Sequence, residues 1–143
     1  MKSALAVCVD AGLVVRRVVT PEDTVIQTIW NQWDVDGLRF IAPLLLRYEI
    51  TNAIYQYQKA GTLTAFTAQQ ALRTAFALPI QLYRETAMST EALVIASRFT
   101  LPAAYDAHYL ALSERYGVEL WTTDRRLFNT VTASLPWVRF VSP

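Results

Sequence analysis

The chain has 143 residues, of which 53% are hydrophobic and 17% are charged. A chain of about 150 residues buries roughly 70% of the surface that its extended form exposes, so this composition predicts a substantial core and excludes a disordered protein. The formal net charge of +1 argues neither for nor against a nucleic-acid partner. We therefore expect residues 1–143 to form a single domain.

The longest apolar runs, residues 4–9 and 41–46, are far shorter than the ~20 residues that span a bilayer. The first run ends on Asp10 without a small-residue cleavage site, which argues against a signal peptide. Cys8 is the single cysteine and the chain has one histidine, so neither an internal disulfide nor a Cys/His zinc site is possible. These features predict a cytoplasmic protein that does not associate with a membrane.

Short apolar strands alternate with helical patterns along the chain. We predict strands at residues 5–9, 38–41, 80–83, 118–122 and 135–141. The predicted helices run from Thr20 to about Asp36, from Pro43 to about Lys59, from Thr64 to about Leu78, from Glu85 to about Arg98 and from Tyr105 to about Gly117. A last helix begins at Asp124 and has no marked end. Because no hairpin signal separates the strands, they should form a parallel sheet covered by helices on both faces.

Several residues support particular elements of this prediction. Thr20 and Pro21 are typical of the N-cap and first position of a helix, and Pro43 is predicted to open the next one. On that helix Tyr48 is a predicted core residue. Trp30 and Trp33 should also lie in the core, although in an exposed position they could stack on a nucleobase.

Four acidic residues fall at predicted element ends. Asp10 follows the first strand, Glu49 lies in the second turn of the helix after the second strand, Asp106 opens a helix, and Asp124 follows the fourth strand. In a parallel sheet the carboxyl ends of strands share one edge with the beginnings of the following helices. Each aspartate alone could be an ordinary helix cap, and Glu49 could be a solvated helix residue. Their joint placement favours one acidic site.

Four carboxylates at one edge repel strongly, since like charges ~4 Å apart cost roughly 4 kcal/mol at an effective dielectric near 20. A hard divalent cation such as Mg²⁺ or Mn²⁺ neutralises such a set through oxygen ligands. A cation held in this way supports phosphodiester hydrolysis. The sequence therefore predicts a metal-dependent hydrolase site.

Residues 9–11, 46–52, 105–112 and 120–127 resemble the four motif blocks of PIN-domain ribonucleases, and most of all the toxins of VapBC-type toxin-antitoxin modules. The blocks stand in the family's order and span nearly the whole chain. The resemblance implies a single PIN-like domain over residues 1–143, a three-layer α/β/α sandwich around a central parallel sheet of four to five short strands. It also implies hydrolysis of single-stranded or structured RNA with Mg²⁺ or Mn²⁺.

By this resemblance Asp10, Asp106 and Asp124 are the main metal ligands or hold the metal through water. Glu49 binds metal through water or assists proton transfer. Thr122 would orient a carboxylate or a bound water by hydrogen bonding, and Asn52 would brace Glu49. The chain departs from the family at Gly12, where a small hydroxyl residue is common.

The resemblance further implies a cognate antitoxin that blocks the acidic crevice, and a homodimer. Two other interpretations stay open: a catalytically inactive PIN-fold domain that binds nucleic acid or acts as a scaffold, and a solitary RNA-processing nuclease without an antitoxin. A phosphoacceptor receiver domain also places acids on a similar sheet, but it needs a lysine late in the chain. No lysine follows Lys59.

Overall fold

A computed structural model of the protein describes residues 5–84 and 86–143. Its five strands form one parallel sheet in the order β3-β2-β1-β4-β5. Their bounds are β1 (Ala6–Val9), β2 (Arg39–Pro43), β3 (Ile80–Tyr83), β4 (Glu119–Thr122) and β5 (Val138–Phe140). The predicted parallel sheet is confirmed, with β1 at its centre and β5 at an edge. Two predicted starting points, the apolar run at Ala4 and the helix at Glu85, lie outside the described residues.

Seven helices connect the strands within the described ranges. They are α1 (Ala11–Val19), α2 (Thr24–Val35), α3 (Leu45–Lys59), α4 (Ala65–Ala77), α5 (Ala87–Phe99), α6 (Tyr105–Tyr116) and α7 (Arg125–Val131). Because crossovers between parallel strands are right-handed, α1–α4 cover one face of the sheet and α5–α7 cover the other. The three-layer α/β/α sandwich is thus confirmed. None of these described helices is long and apolar enough to cross a membrane.

The strand order reverses between β1 and β4, and this reversal is where open α/β sheets bind ligands. Val9 of β1 pairs with Trp121 of β4, so the next residues along the two strands, Asp10 and Thr122, stand at the same level. The backbone N–H of Asp10 donates to the carbonyl of Trp121 at 3.3 Å. The sheet register therefore brings two predicted site residues side by side.

Helix α1 is absent from the sequence prediction. Its nine residues include one glycine and four valines, which have modest helix propensity, yet it buries Leu13, Val14 and Val15 against the core. Thr20 is the C-cap of α1, and α2 begins at Thr24 with Asp23 as its N-cap. The prediction that Thr20 and Pro21 open a helix is therefore wrong. Tertiary packing makes residues 11–19 helical, and helix propensity does not report that packing.

Two predictions for the chain around α3 are also wrong. Pro43 is the last residue of β2 and pairs with Tyr83, and the N–H of Leu44 continues the ladder by donating to the carbonyl of Tyr83 at 2.8 Å. Tyr48 is 66% exposed. The helix instead buries positions four residues apart, namely Leu46, Ile50 and Ile54.

An aromatic cluster fills the core on the α2 side of the sheet. Trp30 and Trp33 are buried, as predicted. The ring centroid of Trp30 lies 4.9 Å from that of Phe40, and the centroid of Trp33 lies 5.4 Å from that of Trp121. Burial excludes the alternative in which Trp30 or Trp33 stacks on a nucleobase.

Candidate active site

Asp10 is fixed by three hydrogen bonds at the switch point of the sheet. Its Oδ1 accepts from the backbone N–H of Leu13 at 3.0 Å, so it caps α1. Its Oδ2 accepts from Thr122 Oγ1 at 2.7 Å and from the N–H of Thr123 at 3.0 Å. Helix capping and a place in the acidic site are therefore compatible roles, and Oδ1 keeps one lone pair for a further contact.

Thr122 connects two of the predicted ligands. Its hydroxyl is buried, donates to Asp10 and accepts from the backbone N–H of Asp124 at 3.0 Å. Asp124 in turn caps α7, since its Oδ1 accepts from the N–H of Leu127 at 3.0 Å. The contact expected of Thr122, a hydrogen bond that orients a carboxylate, is present in this structure.

Glu49 is held from the opposite layer of the sandwich. The hydroxyl of Tyr109 on α6 donates to Glu49 Oε1 on α3 at 2.5 Å, across the carboxyl edge of the sheet. Burial raises the pKa of Tyr109 well above its ordinary value, and the neighbouring Glu49 charge raises it further, so the tyrosine stays protonated as the donor. The sequence analysis assigned no role to Tyr109. Its position three residues after Asp106, on the same side of a helix, was the available signal.

Asn52 does not make the predicted contact with Glu49. Its side chain is exposed, and its Oδ1 accepts from Gln56 Nε2 at 3.4 Å one turn further along α3. Tyr109 takes the bracing position instead. Asn52 is close to Glu49 because both lie on α3, whereas Tyr109 is close to it because α6 packs near α3. The sequence pattern does not report this second kind of proximity.

Asp106 lies in the first turn of α6, and of the four acids it has the fewest described hydrogen bonds to its carboxylate. Among the described residues, no group donates a hydrogen bond to its carboxylate. Burial is the main cause that raises its pKa, and the charges of Asp124 and Asp10 raise it further. The charged groups that act on Asp106 are thus carboxylates of the same sign.

The same electrostatic environment acts on the other acids. Burial raises the pKa of Asp10, its hydrogen bonds with Leu13, Thr122 and Thr123 lower it in part, and Asp124 raises it. Burial also raises the pKa of Glu49; the hydrogen bond from Tyr109 opposes this shift, while Asp106 and Asp10 add to it. Each of the four acids therefore interacts with at least one other.

The donor chemistry of this edge fits a hard cation. Its free acceptors are carboxylate oxygens, including both oxygens of Asp106 among the described contacts. Within residues 5–84 and 86–143, however, no three acidic, histidine or cysteine side chains converge closely enough to form a ready ligand cage. The acids are nonetheless near enough for their charges to raise the pKa values of Asp10, Glu49 and Asp106.

Basic side chains lie beside this edge. Arg125 and Arg126 are exposed in the first turn of α7, directly after Asp124. Arg16 is committed elsewhere, because its Nη2 pairs with Asp23 Oδ2 at 2.8 Å and its Nη1 donates to the carbonyl of Ser142 at 3.0 Å. Arg125 and Arg126 are therefore better placed than Arg16 to contact a phosphate.

Fold and site together define an α/β/α protein with an acidic carboxyl edge at the switch point of a parallel sheet. No family model matches the chain. Ribonuclease VapC3 of Pyrobaculum aerophilum is 32% identical over 87 residues, which are 58% of this chain and 64% of that protein. The chain thus matches less than two thirds of the length of this curated relative.

In fold, the chain is similar to a chain of a toxin-antitoxin complex from Klebsiella pneumoniae. The TM-score is 0.67 with 16% sequence identity, over 93% of this chain and 95% of that chain. The partial match to Ribonuclease VapC3 supports the resemblance to VapC-type proteins that the four motif blocks indicated. The structural match confirms the predicted fold class.

Proposed function

We propose that this protein is a metal-dependent ribonuclease of the VapC type. The observation that carries the proposal is Asp106, a partly buried carboxylate that accepts no hydrogen bond from the described residues and has two acidic neighbours. Such a charge is costly unless a cation compensates it. The relative named as a VapC ribonuclease supports the reaction class.

Asp106, Asp124 and the free lone pair of Asp10 Oδ1 would hold Mg²⁺ or Mn²⁺, with Glu49 acting through water. Mg²⁺ usually keeps several water ligands, which suits acids that do not enclose an ion by themselves. When bound, the cation supplies charge stabilisation for a phosphoryl group and lowers the pKa of a bound water. The hydroxyl of Thr122 orients the Asp10 carboxylate and holds the backbone N–H of Asp124, whose own carboxylate is held by the N–H of Leu127.

Glu49 takes the proton of the attacking water. Its raised pKa brings it towards the operating pH, which improves a general base, and Tyr109 keeps one of its oxygens in place. In the reaction, a water oxygen would bond to phosphorus and the bond from phosphorus to the leaving oxygen would break. The leaving oxygen would take up a proton from solvent water, and Glu49 would return its proton to solvent.

The surroundings of the acids favour an RNA strand with unpaired bases. Tyr48 precedes Glu49 and is 66% exposed, and Tyr105 precedes Asp106 and is 64% exposed. Among the described residues neither ring has an aromatic or cation–π partner. Exposed rings of this kind stack on unpaired bases, while Arg125 and Arg126 would contact phosphates.

We also propose an antitoxin partner and a homodimer. A solved structure with the same fold comes from a toxin-antitoxin complex, which supports an antitoxin partner. We place this partner over the acidic edge as part of the proposal. Leu93 and Val94 are adjacent exposed apolar residues on α5, which supports association between copies. Sedimentation analysis would test the dimer. Growth arrest on expression, relieved by the product of a neighbouring reading frame, would test the toxin role.

The direct test uses purified protein, Mn²⁺ and single-stranded RNA. Cleavage is expected for the wild type and should be abolished by Asp106→Asn, with an unchanged far-UV circular dichroism spectrum. A wild type that stays inactive with varied RNAs and metals, or an Asp106→Asn variant of equal activity, would contradict the proposal. If the inactive wild type still binds RNA, the protein is instead a nucleic-acid-binding domain with this fold.

A further inference from the structure

Gly12, the second residue of α1, lies against Thr123 in the turn between β4 and α7. A Cβ atom added to Gly12 would lie 1.9 Å from Thr123 Oγ1 and 3.1 Å from Thr123 Cβ. Rotation of the threonine side chain would relieve the first contact. It would leave the second, which is shorter than the ~3.5–4.0 Å of a favourable carbon–carbon contact.

The other glycines of the chain have a different reason for their identity. Gly37, Gly61 and Gly117 have φ values of +68°, +83° and +65°, and an added Cβ would meet no atom within 4 Å at any of them. They allow a left-handed backbone. Gly12 sits in a right-handed helix, where any residue would be tolerated by the backbone. Its missing side chain therefore provides space for a neighbour.

That neighbour belongs to the network that holds two of the acids. The N–H of Thr123 donates to Asp10 Oδ2, and the flanking residues Thr122 and Asp124 are linked to each other and to Asp10. The hydroxyl of Thr123 has no hydrogen-bond partner among the described residues. Thr123 therefore contributes its backbone N–H to the site. Because Gly12 has no side chain, this backbone can lie close enough to donate to Asp10.

We infer that the contact between Gly12 and Thr123 sets the spacing between the carboxylates of Asp10 and Asp124, and that both residues are positioning residues for the cation. The inference rests on the proposed function. A side chain at position 12 would push the turn at residues 122–124 away from α1. It would thereby stretch the hydrogen bonds from Thr122 and Thr123 to Asp10.

The test is a double-mutant cycle on the full chain, with Mn²⁺ affinity from titration calorimetry as the main measurement and thermal unfolding beside it. Gly12→Ala should weaken Mn²⁺ binding roughly 10-fold, as loss of a residue that orients metal ligands usually does. In the Thr123→Gly background, which removes both close contacts, Gly12→Ala should change the affinity by less than about 2-fold.

Gly61→Ala is the matched control. It introduces the same methyl group at a left-handed position in open space, so it should lower the unfolding temperature and leave Mn²⁺ affinity unchanged. This separates a general loss of stability from a displacement of the two carboxylates. If Gly12→Ala alone does not fold, recovery of a folded, Mn²⁺-binding protein in the double variant supports the inference.

Two results would overturn it. One is wild-type Mn²⁺ affinity in the folded Gly12→Ala variant, and the other is an equal loss from Gly12→Ala in both backgrounds. These failures are distinct from failure of the proposed function, in which the wild type itself neither binds Mn²⁺ nor cleaves RNA.

Discussion

The two halves of the acidic edge are supported in different ways. In the half formed by β1 and β4, Asp10 and Asp124 are linked through Thr122 and cap two helices. In the half formed by α3 and α6, Glu49 has one tyrosine partner, and Asp106 has no hydrogen-bond donor within the described ranges. The first half is ordered by the sheet itself. In the second half, the charges that act on Asp106 are those of other carboxylates.

The strongest contrast between the halves should come from replacing one aspartate in each. Asp106→Asn and Asp10→Asn should both reduce RNA cleavage more than about 100-fold, beyond the usual cost of losing a residue that only orients metal ligands. Asp10→Asn should in addition destabilise the fold by ~1–3 kcal/mol, because an amide NH₂ would face the donors that now bind Asp10. Asp106→Asn loses no partner and relieves repulsion, so its stability should be equal or higher.

Urea unfolding without metal measures this difference. Equal destabilisation by the two substitutions would show that the halves do not differ in support.

The next prediction breaks the ordered half alone. Thr122→Val keeps the shape of the side chain and removes its hydroxyl, so Asp10 loses a donor and the N–H of Asp124 loses its acceptor. We expect a destabilisation of ~1–3 kcal/mol and a loss of activity of about 10–100-fold. Thr122→Ser, which keeps the hydroxyl, is the matched control and should retain most activity. Wild-type cleavage by Thr122→Val would remove Thr122 from the site.

Tyr109→Phe sharpens the comparison on the other side. The hydrogen bond from Tyr109 lowers the pKa of Glu49, so its removal should move that pKa further up. We expect roughly 10-fold lower activity near neutral pH and a shift of the acidic limb of the pH–rate profile to higher pH. An unchanged profile with reduced stability would mean that Tyr109 is a packing residue and does not position Glu49.

A smaller effect is expected at the RNA-facing surface of the second half. Tyr105→Ala should weaken binding of single-stranded RNA at least about 5-fold, since stacking of one base contributes ~1–3 kcal/mol. Phe66→Ala on α4 is the matched control, because its ring is 65% exposed against 64% for Tyr105 and it lies outside the acidic edge. Fluorescence anisotropy in the Asp106→Asn background measures both. Equal losses would indicate a nonspecific effect.

The last prediction concerns stability and pH in the absence of metal. The pKa values of Asp10, Glu49 and Asp106 are raised in the folded state, so the native protein binds protons more readily than the unfolded chain. Stability should then increase as pH falls from about 7 towards about 5, by the linkage between proton binding and unfolding. Asp23, whose pKa is lowered, opposes this near and below its ordinary value.

Thermal unfolding in EDTA measures the trend, which should weaken in Asp106→Asn and on addition of Mn²⁺. A stability that decreases steadily over this range would show that the acids are already compensated within the chain.

Much of this arrangement could be predicted from local signals. A short apolar run followed by Asp10, and another followed by Asp124, indicate strand ends, and parallel strands share one carboxyl edge. Asp106 in a helix first turn is equally local. Helix α1 escaped prediction because its stability comes from burying Leu13, Val14 and Val15. Tyr109 escaped it because its partner, Glu49, is distant in the chain.

The sequence by itself determined the alternation of strands and helices and the placement of four acids at element ends, because both follow from hydrophobic periodicity and local capping chemistry. The tertiary structure decided which groups support those acids. Sheet register places Thr122 beside Asp10, and the meeting of α3 and α6 makes Tyr109, not Asn52, the hydrogen-bond partner of Glu49. The close approach of α1 to Thr123 leaves no room for a side chain at Gly12. Contacts between residues far apart in the chain arise from packing, and no local pattern encodes them.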